Sequence, residues 1–139
     1  MSEPDYVRQL TERQQGALPG YLGLEWLEAR PGFVKGRFDV KPHHLAPNTF
    51  LHAASVIALA DSACGYGCII SRPEGSLNFT TIELKSNFLG TTREGGVSVE
   101  AKLAHGGRTT QVWDAVVTAE ATGKTIALFR CTQMILYPK

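Results

Sequence analysis

The sequence lacks an excess of charge of either sign. Its 139 residues include 14 Lys and Arg against 13 Asp and Glu, which gives a formal net charge of +1. This balance provides no electrostatic basis for binding nucleic acid or an anionic membrane surface. The first fifteen residues are polar and lack the apolar stretch of a secretory signal. We therefore expect a cytoplasmic protein without a nucleic-acid or membrane partner.

Cysteine is also scarce, and its pattern argues against a disulfide framework. The three cysteines, Cys64, Cys68 and Cys131, are odd in number and fall within segments expected to be regular structure. Disulfide frameworks use even sets of cysteines, so we expect reduced thiols. Cys64 and Cys68 are spaced as half of a metal site, but no second Cys or His pair completes it. We expect neither a bound metal nor a cofactor.

Repeats, low-complexity tracts and breaks in composition are absent as well, so residues 1–139 are predicted to form one domain. The segment 1–20 is predicted to hold a short helix that Ser2 caps and that Gly16 and Pro19 stop. Hydrophobic periodicity and turn residues predict the rest. In order, we expect strands at 22–29 and 33–40, an irregular segment at 41–50, a helix at 53–70, and a meander of strands at 77–88, 97–105, 109–121 and 125–136.

What the sequence does have is one long apolar segment, from Ala53 to Ile70. Apart from an amphipathic tyrosine and two cysteines, its polar side chains are Ser55, Asp61 and Ser62. A helix that is apolar on nearly every face belongs in a protein core or in a bilayer. An aspartate in the middle of a bilayer span costs about 3 kcal/mol, so the composition favours a core helix. The element order then predicts an α+β protein in which a curved antiparallel sheet wraps around this long central helix.

Asp61 is the one charge of this helix. Burying a carboxylate is costly unless a partner compensates it, and no cation stands at helical spacing from Asp61. Two interpretations are open: a tertiary partner or solvent accommodates the charge, or the carboxylate acts as a desolvated base or nucleophile. The small neighbours Ala60, Ala63 and Gly65 leave room for a ligand, and a polar loop with three histidines precedes the helix. Both features favour the second interpretation.

The stretch HHLAPNTFLHAASVIALADSACGYG resembles the central-helix motif of hotdog-fold thioesterases of the phenylacetate-degradation (PaaI-like) type. That motif has a His-containing loop, then HGG, and an acidic residue nine positions after the His, as His52 and Asp61 are spaced here. The later FTTIELKSNFLGTTREGG resembles the strand that follows in the family. The similarity extends from about Leu22 to the end of the chain.

The resemblance implies a hotdog fold, a homodimer or dimer of dimers (a homotetramer), and hydrolysis of an acyl-CoA thioester, with coenzyme A as part of the substrate. It implies that the backbone N–H of Ala53 polarises the thioester carbonyl and that Asp61 acts as nucleophile or as general base on water. The unpaired N–H groups and the positive end of the dipole at the helix start suit that donor. His52 and Asn48 are further catalytic candidates, and Ala54 is a candidate substrate contact.

The sequence departs from the family pattern at three places. The HGG of the family is HAA here, and an N-terminal helix turn accepts alanine. The Asn or Gln that usually stands six residues before the His is Ala46, for which Asn48 is a candidate replacement. The Ser or Thr often found one turn after the acid is Gly65, and Thr81 falls where a related subgroup has a strand hydroxyl near the acid.

The two principal groups are too far apart to act together in one chain. Ala53 and Asp61 are eight residues apart, which is about 12 Å along one helix at about 1.5 Å per residue. A thioester carbonyl must lie about 3 Å from its donor and within reach of the nucleophile. Two helices that run antiparallel across a two-fold axis supply both groups, which predicts an obligate dimer with two shared sites.

The remaining substrate contacts are expected at strand junctions and at apolar positions. Arg93, Arg108 and Thr109 lie at strand junctions, where backbone donors and a cation meet phosphates, or where the residues only form a solvated turn. The apolar residues expected to form the acyl pocket are Leu51, Phe79 or Phe88.

Two other functions are open from the sequence. A hotdog acyl-CoA hydratase or dehydratase depends on a catalytic His with an acid, which His52 and Asp61 imitate, although the dehydratase loop signatures are absent. A non-catalytic acyl-CoA-binding protein would share the groove without needing Asp61. The sequence does not choose between aryl- and medium-chain acyl groups.

Overall fold

The computed structural model describes residues 5–139, and its elements follow the predicted order. The helices are α1 (Tyr6–Arg13), α2 (Leu18–Tyr21) and α3 (Ala53–Ile70), with a 3₁₀ turn at Pro42–His44. The strands are β1 (Glu25–Arg30), β2 (Phe33–Asp39), β3 (Asn78–Phe88), β4 (Gly96–Gly106), β5 (Thr110–Ala119) and β6 (Thr125–Leu136).

The segments that contain proline have more regular structure than the sequence predicted. Ser2, the expected cap, lies outside the described residues; within them Asp5 caps α1, and its side chain accepts a hydrogen bond from the Arg8 N–H at 3.1 Å. Pro19 does not stop a helix but stands in the first turn of α2, where a missing N–H leaves no hydrogen bond unmade. Pro42 opens the 3₁₀ turn in the same way, so residues 41–50 are not wholly irregular.

The six strands form one antiparallel sheet in the order β1-β2-β4-β5-β6-β3. The predicted meander is correct for β4, β5 and β6 but wrong for β3, which pairs with β6 instead of β4. The physical reason is α3, which carries the chain across one face of the sheet, from β2 to the far side of β6. β1 and β3 are consequently the two edges of the sheet.

Helix α3 has the predicted bounds and contacts all six strands. Its sheet-facing side chains Val56, Leu59 and Ala63 are at most 4% exposed. Gly67 lies against the indole of Trp113, and a Cβ at position 67 would overlap that ring. The glycine therefore sets how closely the helix approaches β5.

The core position of α3 agrees with its sequence interpretation. By length and composition the helix has the properties of a membrane span, with a mean hydropathy of 1.6, but half of its residues are buried inside the fold. Strand β5 beneath it shows the predicted alternation, since Trp113, Ala115, Val117 and Ala119 are all buried. The prediction of a sheet around a long central helix is confirmed.

The β1 edge of the sheet is short and carries charge. β1 has six residues and is interrupted by a bulge. Beside it, the Arg37 guanidinium on β2 binds three carboxylates: Glu25 at 2.8 Å, Asp39 at 2.5 Å and Glu120 at 2.9 Å. Hydrogen bonds from Arg37 hold the pKa of Asp39 and the pKa of Glu120 below their usual values.

The β3 edge is long and apolar. β3 has eleven residues, and among the strands of residues 5–139 it pairs on one side only, with β6. Its side chains Ile82, Leu84 and Phe88 are 51%, 40% and 46% exposed, and Leu77 and Leu89 at its two ends are 63% and 60% exposed. A long apolar edge strand with unpaired backbone groups is a surface that another chain can extend.

Candidate active site

His52 caps the start of α3. Its ring Nδ1 accepts a hydrogen bond from the Ala54 N–H at 2.9 Å, and its backbone carbonyl accepts one from the Ser55 N–H at 2.9 Å. Because Nδ1 is an acceptor, the proton of the neutral imidazole is on Nε2. His52 is exposed, so the helix start carries an Nε2–H donor in addition to its backbone donors.

Ala53 has the free backbone donor of the first helical turn. The N–H groups of Ala54, Ser55 and Val56 all have acceptors on His52, whereas the N–H of Ala53 has none within residues 5–139. Ala53 is exposed, and unpaired N–H groups at a helix start carry the positive end of the helix dipole. The expected oxyanion donor is therefore accessible to a ligand.

Asp61 lies in the middle of α3 with an unsatisfied carboxylate. The residue is half-buried, and its Oδ1 is fully buried without a hydrogen-bond partner among the described residues. Desolvation raises the pKa of Asp61 above its usual value. An unpaired buried acceptor costs about 1–3 kcal/mol. The described residues therefore supply no tertiary partner for this oxygen, and the catalytic role of Asp61 stays a prediction.

Small residues share one helix face with Asp61. Ala54, Ala58, Asp61 and Gly65 follow one another along that face at intervals of three or four residues. Ala54 is exposed and Ala58 half-buried, so the face is open toward the start of the helix. Gly65 lies against the edge strand, where a Cβ would be 3.2 Å from the ring of Phe79 on β3. The carboxylate thus lies between an open end and an end closed by β3.

A buried histidine fixes the loop that leads into α3. His44 is 1% exposed; its Nδ1 accepts a hydrogen bond from the Lys41 N–H at 2.9 Å, and its Nε2–H donates to the Leu22 carbonyl at 2.7 Å. Burial lowers the pKa of His44, and the neutral ring makes both bonds. The His44 carbonyl accepts the His52 N–H at 3.0 Å and the Ser55 hydroxyl at 2.8 Å. His44 is therefore a structural anchor of the helix start.

The loop before α3 is pinched at its base by a β-bridge between Leu45 and Leu51. Within the loop, Asn48 is exposed, and its Oδ1 accepts a hydrogen bond from the Phe50 N–H at 3.2 Å. Ala46 brings no polar side chain. Because the Asp61 Oδ1 has no partner in residues 5–139, neither loop position hydrogen-bonds that oxygen within one chain.

The candidate CoA contacts lie at opposite ends of the fold. Arg93, in the β3–β4 loop, stacks its guanidinium over the Phe50 ring at 4.4 Å, beside the loop that precedes α3. Arg108 and Thr109 lie in the β4–β5 turn, at the other end of the eleven-residue β4, which is about 35 Å long at about 3.3 Å per residue. The Arg108 guanidinium is 5.6 Å from the Tyr137 ring centroid. Of the three candidates, only Arg93 shares an end with the start of α3.

Two hydroxyls on β3 have different environments. The Thr81 hydroxyl donates to Oε1 of the buried Gln133 at 2.6 Å, so its proton is already engaged in a hydrogen bond. The Ser86 Oγ is buried without a partner among the described residues. Ser86 pairs with the buried Phe129 of β6, and directly paired side chains lie on the same face of a sheet. The sequence did not single out Ser86, because a serine in an edge strand carries no local signal.

The cysteines are free and buried in α3 and β6, as predicted for reduced thiols in regular structure. Burial raises the pKa of Cys68 to about 12, and hydrogen bonding with Cys131 together with burial raises the pKa of Cys64. Thiols that resist ionisation are poor nucleophiles and poor metal ligands. Residues 5–139 contain no group of three His, Cys, Asp or Glu side chains that could hold a metal ion.

A cavity of about 280 Å³ opens beside the start of α3, between α2, the loop after β2 and the first turns of α3. Leu51, Phe79 and Phe88, the expected pocket residues, do not line it, because Leu51 belongs to the core and the two phenylalanines to β3. The walls come from segments far apart in the sequence, which is why residue patterns did not reveal them. They include Leu18, Leu22, His43, Leu45, His52 and Ala58.

Comparison with known proteins assigns the chain to a family. The profile of the thioesterase superfamily matches residues 48–126, which is more than half of the chain. A 1,4-dihydroxy-2-naphthoyl-CoA hydrolase of Listeria monocytogenes is 29% identical over 111 residues, covering 80% of this chain and 89% of that protein.

Solved structures share the architecture. A mutant of the thioesterase PA1618 from Pseudomonas aeruginosa has a TM-score of 0.89 at 25% identity, covering 97% of this chain and 96% of that one. The PaaI protein from the phenylacetic acid degradation operon of E. coli has a TM-score of 0.82 at 22% identity, with coverage of 97% and 96%. The hotdog fold is thereby confirmed. With its profile match and its unpaired donor and carboxylate on the central helix, the chain belongs to the thioesterase superfamily and is a thioester hydrolase.

Proposed function

We propose that the protein is an acyl-CoA thioesterase that hydrolyses an aryl- or medium-chain acyl-CoA to the free acid and CoA. The observation that carries the proposal is the pair of unpaired groups on α3, the N–H of Ala53 and the Oδ1 of Asp61. The first is a donor for a thioester carbonyl, and the second is an acceptor suited to a base or a nucleophile. The Listeria relative, named as a naphthoyl-CoA hydrolase, supports a CoA thioester as substrate.

The helix start stabilises the charge that develops on the thioester oxygen. The Ala53 N–H acts there with the positive end of the helix dipole, and the Nε2–H of His52 is a second donor beside it. Asp61 acts as general base or as nucleophile. As a base, it takes a proton from water while the water oxygen bonds to the carbonyl carbon. The C–S bond then breaks, and CoA leaves as a thiolate that is protonated.

These groups form one site only when two chains meet. Two copies of α3, antiparallel across a two-fold axis, bring the Ala53 N–H of one chain to the Asp61 carboxylate of its partner. The exposed apolar side chains of the β3 edge support this assembly, because a second copy placed there would cover them. We infer an obligate homodimer with two shared sites, from which a dimer of dimers can be built.

Arg93 is the candidate contact for the CoA phosphates. It is exposed, and its guanidinium is held over Phe50 at the same end of the fold as the helix start. Guanidinium–phosphate hydrogen bonds are charge-assisted and strong. Arg108 and Thr109, at the other end of β4, contact the CoA only if a different subunit supplies them.

A thiol-release assay over a panel of aryl- and alkanoyl-CoA thioesters tests the proposal. Wild type should release CoA from at least one thioester, and Asp61→Asn should lower kcat by about 10²- to 10⁴-fold, the usual contribution of a positioned base. The matched control is Asp114→Asn, which removes an aspartate that pairs with Arg130 on the exposed side of the sheet. It should retain wild-type turnover.

The outcomes separate the rival functions. Equal turnover by wild type and Asp61→Asn would remove the role of Asp61. Tight acyl-CoA binding without thiol release would indicate a binding protein. Addition of water to an enoyl-CoA without thiol release would indicate a hydratase, for which His52 and Asp61 would be the residues to test.

A further inference from the structure

One residue, His52, occupies three of the four backbone N–H groups in the first turn of α3. Its Nδ1 accepts the Ala54 N–H at 2.9 Å, and its carbonyl accepts the N–H groups of Ser55 at 2.9 Å and Val56 at 3.4 Å. Within residues 5–139 the Ala53 N–H is the group left free. The position of His52 therefore determines which donor of the helix start is open to a ligand and where that donor points.

His52 is itself fixed by the backbone carbonyl of His44. That oxygen accepts two hydrogen bonds, from the His52 N–H at 3.0 Å and from the Ser55 hydroxyl at 2.8 Å. The two bonds use both lone pairs of the carbonyl. The direction of the His44 carbonyl consequently sets the path of the chain into α3.

The direction of this carbonyl depends on the His44 side chain. The His44 N–H donates to the Lys41 carbonyl at 2.9 Å, and Nδ1 of the ring accepts the Lys41 N–H at 2.9 Å. At the other side of the ring, Nε2–H donates to the carbonyl of Leu22, just after α2, at 2.7 Å. The buried ring also packs on Phe38, with centroids 4.4 Å apart. The imidazole thus ties the 3₁₀ turn to the segment after α2 and holds His44 in one orientation.

Only one protonation state of His44 makes both ring hydrogen bonds. In the neutral ring with its proton on Nε2, Nδ1 accepts and Nε2 donates. A protonated ring carries a proton on both nitrogens, so its Nδ1 no longer accepts the Lys41 N–H. Burial is the main cause that lowers the pKa of His44; the bond to Leu22 opposes this effect, and the charges of His43 and Lys41 add to it.

The groups that face His44 from other elements do not reverse this preference. A polar cavity of about 350 Å³ beside His44 is also lined by Tyr21, by Glu25 of β1 and by Asp39 of β2. Both carboxylates are bound by the Arg37 guanidinium, at 2.8 and 2.5 Å, which compensates their charge. The first turn of α3 contains no acidic residue. The surroundings therefore favour the neutral ring.

We propose that His44 is a positioning residue of the active site, and that its neutral Nε2–H imidazole orients the carbonyl that holds His52 and so aims the Ala53 N–H at the thioester oxygen. His44 acts through His52 and touches neither the substrate nor the reacting atoms. The inference rests on the proposed thioesterase function for the role of Ala53. The position of the helix start is measured without catalysis, so the two proposals fail separately.

Two substitutions separate the hydrogen bonds of the ring from its packing. His44→Phe keeps an aromatic ring on Phe38 but makes neither bond, whereas His44→Gln keeps a donor and an acceptor. His44→Phe should lower kcat about 10- to 100-fold with little change in KM, because a misplaced donor loses transition-state stabilisation. His44→Gln should recover most of kcat. The matched control, His105→Phe at an exposed histidine on β4, should leave kcat unchanged.

Ser55→Ala is a milder variant that keeps the proposal testable if His44→Phe does not fold. It removes one of the two hydrogen bonds that the His44 carbonyl accepts and leaves the imidazole in place. The expected loss of kcat is about fivefold, as for one hydrogen bond.

Amide resonances in two-dimensional NMR report the helix start without substrate. In isotope-labelled protein, the amide signals of His52 and Ala53 should shift in His44→Phe and return toward their wild-type positions in His44→Gln. They should stay unchanged in His105→Phe.

The pH profile tests the need for the neutral ring. Because the pKa of His44 is lowered from its usual value of about 6.5, the ring bonds are present above the folded-state value and are lost below it. In wild type, protonation of both Asp61 and His44 should lower kcat, so the acidic limb should be steeper than for a single group. In His44→Gln only Asp61 titrates, and the limb should have the slope of one protonation.

Several results would overturn the proposal. Wild-type kcat in folded His44→Phe or in Ser55→Ala would show that the donor does not depend on this link. Equal losses in His44→Phe and His44→Gln would make ring shape the cause, and unmoved signals of His52 and Ala53 would refute the path through His52. The expected shifts together with no thiol release by wild type would support the positioning and refute the thioesterase function alone.

Discussion

The two edges of the sheet are suited to different tasks. The β1 edge has six residues, a bulge, and Arg37 beside it with three carboxylates. The β3 edge has eleven residues and leaves Leu84 and Phe88 exposed. Short, bulged and charged edges resist pairing with another chain, whereas long apolar edges favour it. One edge is therefore suited to end the sheet and the other to receive a second copy.

The carboxylates near the two edges also differ, in their pKa and in whether a partner compensates their charge. Arg37 lowers the pKa of Asp39, whereas desolvation raises the pKa of Asp61. Asp61 has a buried oxygen without a partner in the described chain, and Gly65, one turn further on, touches β3. A paired charge supports the fold, and an unpaired buried charge lowers its stability but is ready for chemistry. The chain carries this unpaired charge on the side that has the apolar β3 edge.

Charge placed on the β3 edge should have the largest effect. Leu84→Asp would put an unpaired carboxylate into the inferred dimer interface, which costs several kcal/mol. We expect monomers by light scattering and a loss of kcat/KM of about 10²-fold or more. Leu27→Asp, at a position 51% exposed on β1, is the matched variant and should leave both properties unchanged. A fully active Leu84→Asp monomer would remove the shared site.

Complementation between two inactive chains should have the next largest effect. Ala53→Pro removes the donor N–H at a position where helices tolerate proline, and Asp61→Asn removes the base. Random mixing of the two chains makes half of the dimers mixed, and each mixed dimer has one intact site of two, so about a quarter of wild-type activity should return. Each chain refolded alone is the control. If no activity returns in verified mixed dimers, donor and base act within one chain.

As the pH is lowered, activity should be lost at a higher pH than the ion pairs beside β1. Because the pKa of Asp61 is raised, the acidic limb of kcat/KM should lie above about 3.9, the usual value for aspartate. The pKa values of Asp39 and Glu120 are lowered, so their contribution to stability begins to fall only below about pH 4.

Circular dichroism, which reports whether the protein is folded at each pH, separates the acidic limb of kcat/KM from unfolding. The pKa of His44 is lowered by burial, so its contribution to stability is present above about 6.5 and declines as the pH falls toward its folded-state value. An acidic limb at or below the pKa of an ordinary aspartate, measured on folded protein, would contradict the desolvation of Asp61.

The smallest effect is expected from the charges beside β1. Arg37→Leu leaves three carboxylates without their common partner and should lower the free energy of unfolding by about 1–2 kcal/mol in urea titrations. Arg130→Leu breaks one pair in which Arg130 is 61% exposed, against 19% for Arg37, and should cost less. Neither change should alter the dimer or the turnover. A loss of activity in Arg37→Leu would contradict the division of tasks between the edges.

The elements of the fold could be predicted because each depends on local patterns. The apolar run from Ala53 to Ile70 set the bounds of α3, and the alternation around Trp113 identified β5. The place of β3 could not be predicted, because no local feature of its residues says which strand is its neighbour. That neighbour follows from the path of α3 across the sheet, which is a tertiary property.

The site residues also divide into those that local patterns predict and those that depend on the tertiary structure. Asp61 stood out as a lone charge, and Ala53 was implied by the resemblance to hotdog-fold thioesterases, a role that the unpaired donors of a helix start suit. Asn48 was a candidate helper from its spacing, but the fold engages its oxygen within its own loop. His43 belongs to the polar loop that the sequence analysis noted, but its place in a cavity wall depends on the fold. Ser86 carries no sequence signal, because only the fold shows that its hydroxyl is buried without a partner among the described residues.

The β-bridge between Leu45 and Leu51 closes the loop before α3 at its base, so residues 46–50 can be exchanged as a unit. His52 is held from outside those residues, by the His44 carbonyl at 3.0 Å, so exchange of residues 46–50 need not move the helix cap. Lengthening such a loop costs little, about 0.6 kcal/mol for each doubling. An amide-bearing loop grafted between Leu45 and Leu51 should therefore leave the start of α3, with the Ala53 N–H, in its place.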